Sequence, residues 1–132
     1  MSIDSQRPAG DEVATVLVVE DDPALRLLCR VNLELEHYRV LEAATLDLAD
    51  ELLKQEQVHL VLLDLHVGSR DGRDLVPVIR GEHPGTSICL LSGTSVTDPP
   101  LDVGADDFIR KPFDLDLFRE TVERLCAKSA RL

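Results

Sequence analysis

The chain has 132 residues, of which 44 % are hydrophobic, and this size suits one compact domain with a single core. Its formal net charge is −11, from 25 acidic and 14 basic residues. Such a surface repels nucleic acid, whose binding depends on lysine and arginine contacts to phosphates. The sequence has no apolar run of transmembrane length and no N-terminal signal pattern. We therefore expect a cytoplasmic protein that binds neither nucleic acid nor membranes directly.

The cysteines and histidines form no recognisable binding motif. Cys29, Cys89 and Cys126 are odd in number, far apart, and each lies inside an apolar segment. This pattern indicates free, buried thiols in a reducing compartment rather than disulfides. The four histidines lack the spacing of zinc ligands.

The N-terminal residues 1–13 are polar and are predicted to form a flexible tail. Three short, continuous apolar runs follow, at 15–19, 60–63 and 88–91. Runs of this kind are typical of strands in a parallel sheet that helices cover on both faces. Weaker strands are predicted at 38–41 and 107–110.

Helical periodicity appears between these runs. Asp22 and Pro23 suit the N-cap and first position of the first helix. The periodicity identifies one apolar face on it, formed by Leu27, Leu28, Val31 and Leu35. Thr45 can cap a second helix, whose inward face is predicted to consist of Leu46, Ala49, Leu52 and Leu53.

Two further helices are predicted downstream. One runs from about residue 74 to 81, where Pro77 implies a late start or a kink. Asp114 can cap the last helix, whose apolar face is Phe118, Thr121, Val122 and Leu125. Strands and helices thus alternate along one domain, which favours a doubly wound α/β sheet. Pro99 and Pro100 disturb the segment between Ser92 and Lys111, so a fourth helix there is predicted to be shortened or irregular.

The predicted strands end in ionisable or hydroxyl side chains, and ligands of doubly wound sheets bind at those ends. Two carboxylates about 4 Å apart repel by roughly 4 kcal/mol at an effective dielectric near 20, so either protonation or a cation must offset the repulsion. Hard oxygen ligands favour Mg²⁺. A metal, a lysine and a hydroxyl around one aspartate suit phosphoryl transfer, with Asp64 as the nucleophile. The strand-end residues are Glu20, Asp21, Asp22, Asp64, Ser92 and Lys111.

The chain resembles the receiver domains of response regulators over nearly its whole length. The matching segments, in the family's order, are VLVVEDDP at 16–23, LLDL at 62–65, DG at 71–72, LSG at 91–93 and GADDFIRKPF at 104–113. The resemblance implies a single five-stranded parallel sheet with the flavodoxin-like order 2-1-3-4-5. On this basis the receiver domain covers 14–127, between the N-terminal tail and a C-terminal tail at 128–132.

The resemblance also implies a role for each motif residue. Asp64 is similar to the phospho-acceptor, and Asp22 is only a helix cap. Asp21 would hold Mg²⁺ (or Mn²⁺) directly and Glu20 through water. Asp64 is counted among the metal ligands as well, and the backbone carbonyl of His66 would be the third protein ligand. The His66 side chain is either a pocket-edge group that influences phosphate lifetime or an ordinary solvated loop histidine.

The remaining roles concern the phosphoryl group. Ser92 and Lys111 would contact it, and Phe108 occupies the place of the aromatic switch residue. Pro112 would follow a cis bond. The implied partners are a sensor histidine kinase or phosphotransfer protein, and an unknown downstream protein or an output domain absent from this chain. The protein would be a phospho-accepting switch that catalyses at most its own phosphoryl transfer and hydrolysis.

Some positions depart from the family pattern. Gly68 stands where the loop after the acceptor often has a proline, which gives this loop more freedom. Gly72 is predicted to take a positive φ in a turn. The altered 93–103 segment keeps open a second hypothesis, an interaction module that works without phosphate. An aspartate-nucleophile phosphatase would need a second acid two residues after Asp64, where His66 stands, and is rejected.

Overall fold

The computed structural model of the protein describes residues 13–93 and 104–130. Within these residues there are seven strands and four α-helices. The strands are β1 (Thr15–Val19), β2 (Arg39–Ala43), β3 (Leu60–Asp64), β4 (His66–Val67), β5 (Arg70–Asp71), β6 (Ser87–Ser92) and β7 (Asp107–Arg110). The helices are α1 (Pro23–Leu35), α2 (Leu46–Gln55), α3 (Leu75–Glu82) and α4 (Leu115–Ala130). The predicted irregular fourth helix and nearly all of the predicted N-terminal tail lie outside the described residues.

Five parallel strands form one sheet in the order β2-β1-β3-β6-β7. This confirms the predicted order 2-1-3-4-5, with β6 and β7 as its fourth and fifth strands. The strands β4 and β5 form a separate antiparallel hairpin, which the sequence did not predict.

Helices cover both faces of the sheet, which explains why its central strands are apolar on both sides. One core lies between the sheet and the helices α2 and α3, and it contains Leu17, Val61 and Ile79. The other lies between the sheet and the helices α1 and α4, and it contains Leu62 and Phe118. All residues of β1, β3 and β6 are buried. The ends of these strands are therefore held at fixed positions by packing on two sides.

The helix α1 presents to solvent the face that periodicity identified as apolar. Its buried residues are Cys29 and Leu33. In contrast, Leu35 is 67 % exposed, and the other three residues of the apolar face are between 42 % and 49 % exposed. Two apolar stripes with the same four-residue spacing run along this helix. The stripe with fewer residues, Cys29 and Leu33, packs on the sheet. The exposed stripe, called the α1 stripe below, consists of Leu27, Leu28, Val31 and Leu35.

The other helices match the sequence predictions closely. The predicted face of α2 is buried or packs against the core, and Thr45 accepts a hydrogen bond from the backbone of Leu48. The helix α3 starts at Leu75 after a 3₁₀ turn, so Pro77 falls in the first turn, where its missing N–H costs nothing. The predicted face of α4 is fully buried, and Asp114 caps it. None of these described helices has the length and apolar character needed to cross a membrane.

The helix α4 continues to Ala130, beyond residue 127, where the sequence placed the end of the domain. Its last turn is tied to the sheet, because the Ser129 hydroxyl lies 2.6 Å from the hydroxyl of Ser87 and 2.6 Å from the backbone carbonyl of His59. These contacts join the last turn of α4 to β6 and to the residue before β3.

All three cysteines are free and buried, as predicted. They belong to different elements, α1, β6 and α4, yet all face the same side of the sheet. Burial raises the pKa of the Cys29 and Cys126 thiols to about 12 and also raises the pKa of Cys89. The three side chains therefore behave as small hydrophobic groups.

Asp106 joins the start of β7 to α3, α4 and β6. Its carboxylate lies 2.7 Å from the Arg80 guanidinium and 2.6 Å from the Lys128 ammonium, and it accepts a hydrogen bond of 2.8 Å from the Ile88 amide. Burial alone would raise its pKa. The bonds from Lys128, Arg80 and Ile88 outweigh burial, so the pKa is lowered from the ordinary value.

Replacement of this carboxylate should destabilise the fold in a pH-dependent manner. We expect Asp106→Asn to lower the free energy of unfolding at pH 7 by about 1–3 kcal/mol, because charged hydrogen bonds are lost. Since the folded pKa is lowered, the native stabilisation is complete above the ordinary pKa near 3.9 and disappears as the pH falls below it. Urea unfolding at pH 7 and pH 3 measures both values, with Asp116→Asn, an exposed carboxylate on α4, as the control. A difference that stayed constant between the two pH values would contradict the assignment.

Candidate functional site

Four chain segments meet at the carboxyl edge of the sheet. Glu20 directly follows β1, Asp64 ends β3, Ser92 ends β6 and Lys111 directly follows β7. The parallel pairing places these strand ends side by side, because β3 lies between β1 and β6 and β6 is paired with β7. The structure thus brings together the residues that the sequence predicted at one site.

Lys111 contacts two of the carboxylates. Its ammonium nitrogen lies 2.8 Å from Asp64 Oδ2 and 3.2 Å from Glu20 Oε1. Burial alone would lower the pKa of Lys111. The hydrogen bond that Lys111 donates to Asp64, and the negative charges of Asp64 and Glu20, outweigh that effect and raise the pKa, so Lys111 is a fixed positive charge at neutral pH. The peptide bond between Lys111 and Pro112 is cis, as predicted.

Glu20 is the most deeply buried acid of the site, with 1 % of its surface exposed. Burial, together with the hydrogen bond and the charge of Asp64, raises its pKa to about 7. Lys111 and the Asp22 amide, which donates to Glu20 Oε2 at 3.2 Å, act in the opposite direction. The largest of these effects is burial, which disfavours the charged carboxylate.

Asp21 is exposed and is anchored from the other side of the site. The Gly68 amide donates a hydrogen bond of 2.9 Å to Asp21 Oδ2, and this bond lowers the pKa of Asp21. Asp22 does not join the cluster. Its carboxylate accepts hydrogen bonds from the first turn of α1, which confirms its role as a helix cap.

The acidic cluster fits a divalent cation. One carboxylate oxygen from each of Glu20, Asp21 and Asp64 lies within 4.8 Å of the others. Hard oxygen donors of this kind suit Mg²⁺ or Mn²⁺, which commonly use one or two carboxylates and keep further positions for water and phosphate. Burial and the neighbouring Asp64 both raise the pKa of Glu20, and a bound cation would counter the repulsion between these carboxylates.

Ser92 ends β6 at the edge that carries the acidic cluster, whereas Phe108 lies within β7, where it pairs with Leu90. The Ser92 side chain is fully buried, and its hydroxyl has no hydrogen-bond partner among residues 13–93 and 104–130. Its backbone carbonyl accepts a hydrogen bond of 2.7 Å from the Lys111 amide. Phe108 is half-buried and packs against the core on the α2 and α3 side of the sheet. An unpaired hydroxyl beside a charged site is unusual, because buried polar groups are normally hydrogen-bonded.

His66 lies in the hairpin that follows the acceptor. Its amide donates a hydrogen bond of 3.2 Å to Asp64 Oδ1, and its side chain is exposed. The exposed position is compatible with both readings of its imidazole. The assignment of its backbone carbonyl as a metal ligand stays a prediction.

The predicted conformation of Gly72 is wrong. The glycines with positive φ among the described residues are Gly68, at 64°, and Gly104, at 100°. Gly72 is required for a steric reason, because a Cβ atom there would lie 1.8 Å from the Asp64 carbonyl oxygen. Gly72 therefore lets the chain pass directly against the backbone of the acceptor.

Three backbone features of the site were not predicted from the sequence. Gly68 was noted only as a departure from the family pattern, yet its amide holds Asp21. Gly72 was expected to serve a positive φ, whereas it serves the close approach to the Asp64 carbonyl oxygen. Arg26, on the first turn of α1, donates a hydrogen bond of 2.8 Å to the Glu20 carbonyl and also contacts Glu42. A basic residue one turn after the acidic pair was the available signal.

The family model of the response regulator receiver domain matches residues 16–123. The chain belongs to this family. Among curated relatives, the transcriptional regulatory protein KdpE of Mycobacterium tuberculosis is 34 % identical over 105 residues, which cover 78 % of this chain and 46 % of the relative. The transcriptional regulatory protein YvrH of Bacillus subtilis is 36 % identical over 107 residues, which cover 78 % of this chain and 45 % of the relative. The receiver domain thus spans about half the length of these relatives.

Solved structures agree with the receiver fold. A CheY-like receiver domain protein from Methanospirillum hungatei has a TM-score of 0.80 at 26 % identity, and the match covers 92 % of this chain and 100 % of that one. A response regulator from Thermotoga maritima has a TM-score of 0.75 at 30 % identity, covering 87 % and 98 %. The protein is therefore similar in both sequence and fold to receiver domains of two-component systems.

The close approach at Gly72 should make this position intolerant of a side chain. We expect Gly72→Ala to lower the free energy of unfolding by about 3 kcal/mol, because the new methyl group must displace the Asp64 backbone. Gly81→Ala in α3 is the control, since no atom lies within 4 Å of its added Cβ and alanine favours helix. Thermal unfolding of both variants measures the difference, and equal midpoints would refute the steric account.

Proposed function

We propose that this receiver domain accepts a phosphoryl group on Asp64 in a reaction that depends on Mg²⁺ or Mn²⁺. The observation that supports this most directly is the contact of Lys111 with Asp64 and Glu20 inside a cluster of three carboxylates. One carboxylate is thereby presented between a fixed ammonium group and a candidate cation site. Phosphoryl transfer needs this combination of positioning and charge neutralisation.

In the proposed reaction, an oxygen of the Asp64 carboxylate attacks the phosphorus atom of a phosphohistidine on the donor protein. The phosphorus–nitrogen bond breaks, and the imidazole keeps the electron pair and takes up a proton from solvent. The product on this chain is an acyl phosphate. A small phosphodonor such as acetyl phosphate reacts in the same way, with acetate as the leaving group.

The residues around Asp64 have separate tasks. The cation would be held by the three carboxylates of the cluster, including Asp64 itself, and by the His66 carbonyl. A bound cation would neutralise charge on the phosphoryl oxygens. Lys111, now paired with Asp64, donates to a phosphoryl oxygen once the acceptor is modified. The Ser92 hydroxyl, which has no hydrogen-bond partner in the described part of the chain, would bond to another of these oxygens.

Phosphorylation would switch the domain through the same groups. New hydrogen bonds from Ser92 and Lys111 draw their loops towards the phosphoryl group, and Phe108 then packs further inward. The domain therefore acts as a switch that presents a protein-interaction surface rather than as an enzyme that turns over a separate substrate. Its output would pass through another protein or through a domain of a longer chain, and it would act in the cytoplasm.

The α1 stripe is the surface that we propose for the protein phosphodonor. Its four apolar residues are exposed on the helix that starts directly after the acidic pair. Exposed apolar patches of this kind mark protein contacts. A donor helix packed there would lie beside the mouth of the site, which a phosphohistidine must reach.

The phosphoryl acceptor can be tested by intact-protein mass. Incubation with acetyl phosphate and Mg²⁺ should add the mass of one phosphoryl group to the wild type, and this gain should be absent with a chelator and in Asp64→Asn. Asp47→Asn, an exposed carboxylate on α2, is the matched control and should react like the wild type. A wild type that gains no mass and binds no metal would favour the interaction module without phosphate.

The docking surface can be tested separately from the chemistry. A panel of purified histidine kinases is first screened for the kinase that transfers its phosphoryl group fastest to the wild type. With that kinase, we expect Val31→Asp to slow phosphoryl transfer by about tenfold, because an apolar contact is lost. Its reaction with acetyl phosphate should not change. Leu48→Asp, an equally exposed leucine on α2, is the control. Equal loss with both donors would place the defect in the site and refute the docking role.

A further inference from the structure

The hairpin formed by β4 and β5 contacts two carboxylates of the acidic cluster through backbone amides. The His66 amide donates to Asp64 Oδ1 at 3.2 Å, and the Gly68 amide donates to Asp21 Oδ2 at 2.9 Å. The second bond joins residues 47 positions apart in the chain and connects the loop after β3 to the loop after β1. The hairpin therefore spans the cluster and touches acids that come from two strands.

The Gly68 contact depends on a backbone conformation that favours glycine. His66 pairs with Asp71 and Val67 with Arg70, so Gly68 and Ser69 form a two-residue turn. Gly68 has a φ of 64°, and glycine at the first central position is typical of a type II′ turn. A proline at this position has no N–H to donate and has its φ fixed near −65°. Asp21 thus has a hydrogen-bond donor here that a proline-bearing loop does not supply.

We infer that the Gly68 amide is a positioning group for Asp21, holding one carboxylate oxygen so that the other is oriented for the divalent cation. This inference rests on the proposed function, since it assumes that Asp21 is a metal ligand. Asp21 is exposed and would otherwise sample several rotamers, which binding would have to restrict. Hydrogen-bond partners that orient metal-binding carboxylates typically change metal affinity by 10- to 100-fold.

The test removes the N–H and leaves the turn intact. Cys29 and Cys89 are natural ligation junctions, so segment 29–88 can be synthesised with glycolate in place of Gly68, which converts the amide into an ester. Gly68→Asn is the matched control, because asparagine keeps the N–H and tolerates positive φ, and an added Cβ meets no atom within 4 Å. The refolded wild type made by the same ligation is the reference. Mg²⁺ affinity without any phosphodonor is measured by calorimetry, and thermal unfolding compares the folds.

The ester should bind Mg²⁺ about tenfold more weakly than the wild type, whereas Gly68→Asn should bind within about twofold, with similar unfolding midpoints for all three. Gly68→Pro, which also lacks the N–H, should bind weakly as well. Unchanged or tighter binding by the ester would overturn the inference, since the amide would then be irrelevant or a competitor of the metal. If the wild type itself binds no Mg²⁺ and gains no phosphoryl group, the proposed function fails and this role with it.

Discussion

Lys111 places a positive charge between two buried carboxylates, and the rest of the site depends on that placement. Glu20 follows β1 and Asp64 ends β3, and two anions so close would repel each other strongly in a buried setting without a cation beside them. The parallel sheet satisfies this constraint by bringing Lys111 from the end of β7, 91 residues after Glu20. The site therefore forms only when these strands are assembled in the sheet. A substitution that distorts β1, β3 or β7 would disturb the same cluster.

The fold was largely predictable because its strongest signals are local. Continuous apolar runs located the central strands, and side-chain caps such as Asp22 and Asp114 located the helix starts. The buried face of α1 was not predictable, because Cys29 and Leu33 have the same spacing as the more hydrophobic Val31 and Leu35. Periodicity indicates that an apolar stripe exists on a helix. Which of two stripes is buried depends on the part of the sheet surface that α4 does not already cover.

The side chains of the site were predictable from motif and strand ends, whereas its backbone was not. Gly68 acts through an N–H and Gly72 through a missing Cβ, and neither effect leaves a pattern in a single sequence. A glycine in the sequence indicates only that the backbone needs conformational freedom there or that another atom approaches it closely. The hairpin of β4 and β5 was missed for a related reason, since strands of two residues carry no periodicity. Tertiary contacts with Asp21 and Asp64 specify this segment instead.

The three buried cysteines can report on local unfolding of the molecule. A thiol reacts with alkylating reagents as its thiolate, and burial suppresses that form in the native state. Reaction must therefore wait until an element separates from the sheet. Because Cys29, Cys89 and Cys126 lie on a helix, a central strand and the last helix, their relative labelling rates distinguish detachment of one helix from disruption of the sheet. The wild-type chain is thus already equipped for pulsed-labelling studies of its hierarchy of unfolding.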